Sequence, residues 1–192
     1  MSGLAPSDAA RLLAIARASL AHGLSHGCAL PVDPAAESPA LRVPGASFVT
    51  LRTAGQDLRG CVGTLEPMHA LAVDVAENAY RAGFHDPRFE PLGVEEARRI
   101  ELHVSLLHPP ERLAARSEAE LVAQLRPGRD GLVLRLGARR ATFLPEVWQM
   151  LPSPTEFVRA LQRKAGLAPG SWSEGLEAFR YAATAIGGEG DA

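Results

Sequence analysis

The segment that most constrains the fold is the stretch from Leu58 to Pro67, which reads Leu-Arg-Gly-Cys-Val-Gly-Thr-Leu-Glu-Pro. It follows an apolar stretch at residues 47–52, and a short polar connection that contains Gly55 separates the two. Strand-forming residues on both sides of such a connection predict a β-hairpin, with Gly55 providing the positive φ that tight turns need. The hairpin indicates a fold with antiparallel strands.

The second strand of this hairpin places a cysteine between two glycines. Because strand side chains alternate between two faces, Arg59 and Cys61 are expected to be neighbours on one face. Glycine in a strand often marks a bulge or a close approach to the backbone, so Gly60 and Gly63 predict open space beside the sulfur. A guanidinium next to Cys61 would favour the reactive thiolate. The alternative is a small, inert cysteine on a strand that the glycines bend.

The rest of the chain mixes helical and strand-like periodicity. Helices are predicted at about residues 7–22, 69–83, 117–125 and 153–165, and strands at residues 99–107, 132–136, 139–144 and 177–183. Gly23 and Gly27 are expected to end the first helix. This mixture predicts the α+β class, with a mainly antiparallel sheet and flanking helices.

Length and proline content predict the domain organisation. A chain of 192 residues can bury a substantial core as one domain, with room for a small second lobe. We expect one domain over residues 1–192, with its core at about residues 8–184. Four prolines predict a loop at residues 29–45, of the kind that forms lids or mobile segments. The glycine-rich residues 187–192 predict a flexible tail.

Composition and charge argue against several classes of function. A net charge of −2 gives no electrostatic footprint for a polyanion, so nucleic-acid binding is a minor hypothesis. No apolar run approaches the roughly 20 residues that span a bilayer, and the first residues lack the pattern of an export signal. Two distant cysteines then predict a cytoplasmic protein with no disulfide between Cys28 and Cys61.

A second cysteine lies in a group of metal-ligating residue types. His22, His26 and Cys28 follow one another closely. Zinc sites need further ligands or an open water position on a rigid framework, and no second cluster completes this group. The sequence therefore predicts a frayed helix end here. It predicts no metal site and identifies no cofactor.

A charged loop follows the second predicted helix. Asp86 and Arg88 lie between aromatic residues in the segment Phe-His-Asp-Pro-Arg-Phe. They can orient a substrate, or they can pair with each other and with the backbone. His103 on the strand at residues 99–107 is a possible proton partner for Cys61, or a solvated residue on a polar face.

Residues 58–64 resemble the Leu-Arg-Gly-Cys-Ile-Gly-Thr signature of the AMMECR family, whose prokaryotic members are called AmmeMemoRadiSam system protein A. Further matches, in the family's order, are Asp86-Pro87-Arg88-Phe89, Arg126-Pro127-Gly128-Arg129-Asp130-Gly131, and Thr142-Phe143-Leu144-Pro145 with Val147-Trp148. The resemblance covers about residues 8–182 and implies a compact α+β fold with a cleft near the cysteine. It implies no particular reaction. The family's name implies an association with a Memo-like protein and a radical S-adenosylmethionine protein.

Two functions remain open from the sequence, and a third is weaker. The first is a component that binds a small molecule or a partner protein, with Arg59, Gly60, Gly63, Asp86 and Arg88 as the candidate binding residues. The second is an enzyme whose candidate catalytic residues are Cys61 as the nucleophile and Glu66 and His85 for proton transfer. In this enzyme Arg59 would hold an anionic group, and Asp86 is a further proton-transfer candidate. The third is a nucleic-acid-binding regulator.

Overall fold

The computed structural model describes residues 4–187, in which helices and antiparallel sheets alternate along the chain. In chain order its helices and strands are α1 (Pro6–His26), α2 (Pro39–Arg42), β1 (Pro44–Gly45), β2 (Ser47–Arg52), β3 (Leu58–Gly63), β4 (His69–Ala70), α3 (Leu71–Phe84), α4 (Val94–Ala97), β5 (Glu101–Leu107), β6 (Glu111–Leu113), α5 (Glu118–Gln124), β7 (Gly131–Leu136), β8 (Arg139–Phe143), α6 (Pro154–Lys164), β9 (Glu177–Tyr181) and β10 (Ala183–Ile186). The predicted α+β class is confirmed. The predicted flexible tail lies, from residue 188 onward, outside the described residues.

The described residues form two compact units, residues 4–107 with 184–187, and residues 108–183. The first unit packs helices α1 and α3 on a four-stranded sheet with the order β10-β5-β2-β3, in which β2 pairs antiparallel with both β5 and β3. Val49 and Leu51 of β2 are fully buried in one cluster with Leu12 of α1 and Val75 of α3. Within the described residues β3 has a strand neighbour on one side only, so it is an edge strand.

The predicted hairpin β2–β3 is confirmed, but its turn uses a different residue. Gln56, not Gly55, takes the positive φ, at 66°. The backbone N–H of Gln56 donates to Thr53 O, and the Thr53 N–H donates to Asp57 O. The pairing register also shifts: Leu51 is opposite Gly60 while Arg52 is opposite Leu58, which leaves Arg59 as the extra residue of a β-bulge. A bulge re-aims side chains, so strict alternation does not continue through Arg59.

Helix α1 is longer than predicted and runs through Gly23. Gly23 is buried inside the helix, and a Cβ there would lie 2.5 Å from the Phe84 ring and 2.7 Å from the Tyr80 ring of α3. This glycine therefore permits close packing of the two helices rather than ending α1. The end comes at Gly27, which has the left-handed φ of 69° that glycine favours at a helix C-terminus. Neither α1 nor any other helix in residues 4–187 is long and apolar enough to cross a membrane.

The segment predicted as a proline-rich loop, residues 29–45, contains short regular elements. A 3₁₀ turn at Pro34–Ala36 is followed by α2 and β1, and β1 pairs with β4. Leu41 of α2 is fully buried in the core of the first unit. Glu37 is 6% exposed and accepts two hydrogen bonds from Arg11 of α1, at 2.9 and 2.6 Å. These contacts fasten the segment to the core.

The second unit packs two helices on a sheet with the order β6-β9-β7-β8. Its core centres on Phe157 of α6, which is fully buried and stacks on Trp148 with ring centroids 3.8 Å apart. The Trp148 indole donates to the carbonyl oxygen of the buried Asp130 at 2.7 Å. Trp148 is thus part of the core of the second unit.

Candidate functional site

Cys61 is a half-buried cysteine, not part of a disulfide, near the middle of edge strand β3. It lies opposite Thr50 of β2, whose hydroxyl donates to the sulfur at 3.4 Å, and Thr50 in turn lies opposite His103 of β5. The neighbours of Thr50 along the strand, Val49 and Leu51, point into the apolar core. Because side chains alternate, the row of Cys61, Thr50 and His103 occupies the other face of the sheet.

The two glycines beside Cys61 serve close packing. A Cβ on Gly60 would lie 2.3 Å from the carbonyl oxygen of Ala82, so only glycine lets α3 approach the strand this closely. A Cβ on Gly63 would lie 2.3 Å from the ring of Phe48, its cross-strand partner. The space that these glycines leave is therefore filled by a helix backbone and an aromatic ring, rather than left open beside the sulfur as the sequence suggested.

The loop after α3 forms hydrogen bonds with the outer edge of β3 at Cys61. The buried carboxylate of Asp86 accepts the Cys61 N–H at 2.9 Å, and Arg88 Nη2 donates to the Cys61 carbonyl at 3.3 Å. Asp86 and Arg88 are also joined, because Arg88 Nε and Nη2 donate to the two carboxylate oxygens at 2.9 and 2.6 Å. We call these three residues the Cys61 clasp. It satisfies the backbone groups of an edge strand that would otherwise need another partner.

The clasp fixes a positive charge beside Cys61. Hydrogen bonding from Arg88 is the main reason why the pKa of Asp86 falls to about 2, with the Cys61 N–H as a further donor. The pKa of Arg88 is raised, mostly by Asp86 and in part by the negative charge that Cys61 carries when ionised. The Arg88 side chain remains 52% exposed, whereas that of Asp86 is 3% exposed. The buried carboxylate of Asp86 thus holds the half-exposed Arg88 side chain in place beside the Cys61 backbone.

Arg59 is engaged elsewhere. Its guanidinium forms a bidentate ion pair with Glu96 of α4 and donates to the Glu90 carbonyl at 2.8 Å. The same guanidinium lies over the Phe89 ring at 5.6 Å. This pairing lowers the pKa of Glu96. The sequence pointed to Arg59 because strict alternation was assumed, and the bulge at Arg59 interrupts that alternation. The guanidinium that hydrogen-bonds to Cys61, through its carbonyl oxygen, is that of Arg88.

Comparison with known proteins agrees with this architecture. The AMMECR1 family model matches residues 13–186, which include the hairpin, the clasp and both compact units. The chain belongs to the AMMECR1 family.

Relatives match most of this AMMECR1 chain in sequence, and one solved structure has a similar fold. A protein of Thermofilum pendens is 34% identical over 199 residues, covering 95% of this chain and 91% of its own. Protein MJ0810 of Methanocaldococcus jannaschii is 37% identical over 143 residues, covering 71% and 69%. The crystal structure of uncharacterized protein PH0010 from Pyrococcus horikoshii superimposes with a TM-score of 0.85 at 29% identity, covering 93% of this chain and 90% of that one. The names of these relatives state no activity.

The proton-transfer candidates of this AMMECR1 protein lie in different surroundings. The His85 ring contacts the Tyr80 hydroxyl at 3.1 Å, at the end of α3, one residue before Asp86. Glu66 is exposed beyond the end of β3. His103 is in the same cross-sheet row as Cys61, and its Nε2 is buried without a hydrogen-bond partner among residues 4–187. Asp86, the further proton-transfer candidate, accepts the Cys61 N–H at 2.9 Å.

Sequence reasoning missed a buried polar network beneath the hairpin. Asp74 of α3 is 1% exposed and accepts hydrogen bonds from Ser47, from Thr64 and, at 3.0 Å, from Asn78. Burial raises the pKa of Asp74. The available signal was an acid and an amide four residues apart on the otherwise apolar face of α3, with Thr64 directly after β3. The network ties the end of the cysteine motif to the helix.

Two surface cavities of the first unit lie away from Cys61. The larger, of about 500 Å³, lies between the β2–β3 turn and α4 and is lined by Gly55, Glu96 and Arg99 among others. The smaller, of about 250 Å³, lies between α1, α4 and β5. Neither is lined by Cys61 or Arg88, so the candidate site is a surface on the sheet edge rather than either of these cavities.

Proposed function

We propose that this AMMECR1 protein is a binding component whose partner or small-molecule ligand docks on the Cys61 clasp. The observation that carries the proposal is the half-exposed Arg88, held in place by the buried Asp86. A guanidinium whose position is already determined loses little side-chain freedom when it binds a carboxylate or phosphate. The ligand or partner surface is therefore anionic.

The sequence resemblance to AmmeMemoRadiSam system protein A suggests a specific pair of partners. That name implies a Memo-like protein and a radical S-adenosylmethionine protein, and we propose that this chain works with both. An adaptor needs no catalytic residue of its own. The clasp also leaves the Cys61 side chain half-buried at the centre of the proposed surface, where a partner would cover it.

A binding measurement tests this function. The Memo-like and radical S-adenosylmethionine proteins of the same organism are titrated against the wild type, the Arg88→Gln variant and the Arg98→Gln control. Arg98 is also an arginine of the first unit in an ion pair, but its side chain is 70% exposed and its partner Glu95 77% exposed. We expect binding of at least one protein, weakened about tenfold or more by Arg88→Gln because an interface arginine is lost, and unchanged by Arg98→Gln. Absence of binding to both proteins, or equal affinity of the two variants, would contradict the proposal.

A second function is favoured by the electrostatic interaction between Arg88 and Cys61. In an enzyme, Arg88 would stabilise the thiolate of Cys61 as a nucleophile. Alkylation rates with iodoacetate and iodoacetamide separate this function from simple binding, and Cys28 serves as an internal reference thiol. A catalytic Cys61 should react faster than Cys28 at neutral pH and should prefer the anionic reagent, and Arg88→Gln should remove that preference. Slow labelling of Cys61 by both reagents would exclude the nucleophile.

A further inference from the structure

An apolar groove lies on the first unit between α1, α4 and β5, away from the Cys61 clasp. Its volume is about 250 Å³, and its most buried lining residues are Leu20, Ile100 and Leu102, which are at most 6% exposed and belong to the core of the unit. Apart from Arg17 and Arg98, every side chain that lines the groove is apolar. The groove is therefore a place where the core of the unit reaches the surface.

The groove exists because α4 covers this side of α1 only in part. Helix α4 is a single turn with no buried residue, and its Val94 is 55% exposed. On α1, Leu20 and Leu24 are one helical turn apart, so both project from the face that lines the groove. Apolar surface therefore stays open to water beside the core. Contact with an apolar ligand group would remove this surface from water, which is favourable.

Arg17 provides an uncompensated positive charge at this groove. Its side chain is exposed and forms no hydrogen bond or ion pair with any residue from 4 to 187. Arg98, the other arginine of the lining, is paired with Glu95 at 3.0 Å, and their side chains are 70% and 77% exposed. Within the described part of the chain, no acidic residue lines the groove. The charge at the groove therefore favours an anionic ligand group beside Arg17 over a cationic one.

We propose that the groove binds an aliphatic monocarboxylic acid, with its carboxylate on Arg17 and its hydrocarbon chain on the apolar lining. A guanidinium can donate two parallel hydrogen bonds to a carboxylate, so the head group has a defined partner. The groove is smaller than the roughly 300–1,000 Å³ of pockets that enclose drug-sized ligands. It therefore suits a medium chain such as octanoate rather than a long-chain fatty acid. The site shares no residue with the Cys61 clasp.

Calorimetric titration of the full chain with butanoate, hexanoate and octanoate tests the site, and octylammonium supplies the longest chain with the opposite charge. The variants are Arg17→Gln, which removes the charge, and Val94→Asp, which places a negative charge at the rim. Because Val94 is 55% exposed, its substitution leaves the core intact. Arg81→Gln is the matched control, since Arg81 is also an exposed helix arginine but does not line the groove. Arg88→Gln shows whether the acid binds the clasp instead.

We expect a single octanoate per chain, with affinity rising about twofold to fourfold for each methylene added between butanoate and octanoate, because each buried methylene contributes to binding. Arg17→Gln and Val94→Asp should each weaken octanoate binding about fivefold or more, whereas Arg81→Gln and Arg88→Gln should leave it unchanged. Octylammonium should bind about tenfold more weakly than octanoate. Absence of octanoate binding, equal affinities for octanoate and octylammonium, affinity independent of chain length, or a loss caused by Arg88→Gln rather than Arg17→Gln would overturn the proposal.

Discussion

The Cys61 clasp leads to a quantitative prediction about stability. Replacing Asp86 by asparagine keeps its shape but removes the charge that holds Arg88 and accepts the Cys61 N–H. The pKa of Asp86 lies at about 2 in the folded chain, against an ordinary value of 3.8. Because each pH unit of such a difference corresponds to about 1.4 kcal/mol, the charged form stabilises the fold by at most about 2.4 kcal/mol. The 52% exposure of Arg88 adds solvent screening, so we expect about 1–2 kcal/mol.

The sign of the pH dependence follows from the lowered pKa of Asp86. The unfolded chain binds a proton at this carboxyl more readily than the folded chain, so the stabilisation is fully present above about pH 4 and is lost as the pH falls toward 2. The free energy of unfolding of Asp86→Asn should therefore lie below that of the wild type at neutral pH. The two curves should converge between pH 4 and 2.

Urea unfolding followed by far-ultraviolet circular dichroism measures this difference. Tryptophan fluorescence would be unsuitable, because Trp148 and Trp172 both lie in the second unit. Amide exchange at Cys61 gives a local readout, which should accelerate in Asp86→Asn. The control is Glu95→Gln, an exposed ion-pair partner whose loss should change stability by about 0.5 kcal/mol or less. A stability difference that stays constant from pH 7 to pH 2 would refute the linkage between Asp86 charge and folding.

Two further predictions concern packing beneath the hairpin. Gly60→Ala should lower the free energy of unfolding by about 1–3 kcal/mol, because its Cβ would lie 2.3 Å from a carbonyl oxygen of α3. The control Gly55→Ala, whose Cβ would have its nearest neighbours 3.7 Å away, should be nearly neutral in urea unfolding. Equal urea midpoints for the two variants would show that the close approach is unimportant. Asp74→Ala should cost about 3 kcal/mol or more, because it leaves several buried donors unpaired, while alanine at the exposed Asp57 should have little effect. Burial raises the pKa of Asp74, so its contribution to the free energy of unfolding weakens as the pH rises, opposite in sign to that of Asp86. If the difference in stability between the wild type and Asp74→Ala grew with pH, this reasoning would be contradicted.

Local periodicity was sufficient to predict most elements of this protein. The strand predicted at residues 99–107 became β5. The helix predicted at about residues 69–83 became α3, in which Leu71, Val75 and Ala79 are buried. The helix predicted at residues 153–165 became α6, and Ser153 caps its start by accepting the Glu156 N–H. These features depend on neighbouring residues along one element, so a single sequence records them directly.

The glycines show where local reasoning was insufficient. Gly23 was predicted to end α1 and instead lies inside it, because the rings of Tyr80 and Phe84 pack against it. Gly60 was expected to open space that the backbone of α3 in fact fills. In each case the same local signal, a missing side chain, has two possible causes. Only the position of residues distant in sequence shows whether a glycine permits close packing, ends a helix or opens a pocket.

The sequence by itself determined the family, the α+β class, the hairpin and the proximity of Asp86 and Arg88 to each other. Tertiary structure alone decided that this pair hydrogen-bonds to the Cys61 backbone and that Arg59 pairs with Glu96. It also decided that Asp74 accepts a hydrogen bond from Thr64, at the end of the cysteine motif. The physical reason is that hydrogen bonds and ion pairs between elements depend on orientation within about an ångström. A bulge of one residue is enough to interrupt the alternation that placed Arg59 and Cys61 on the same face.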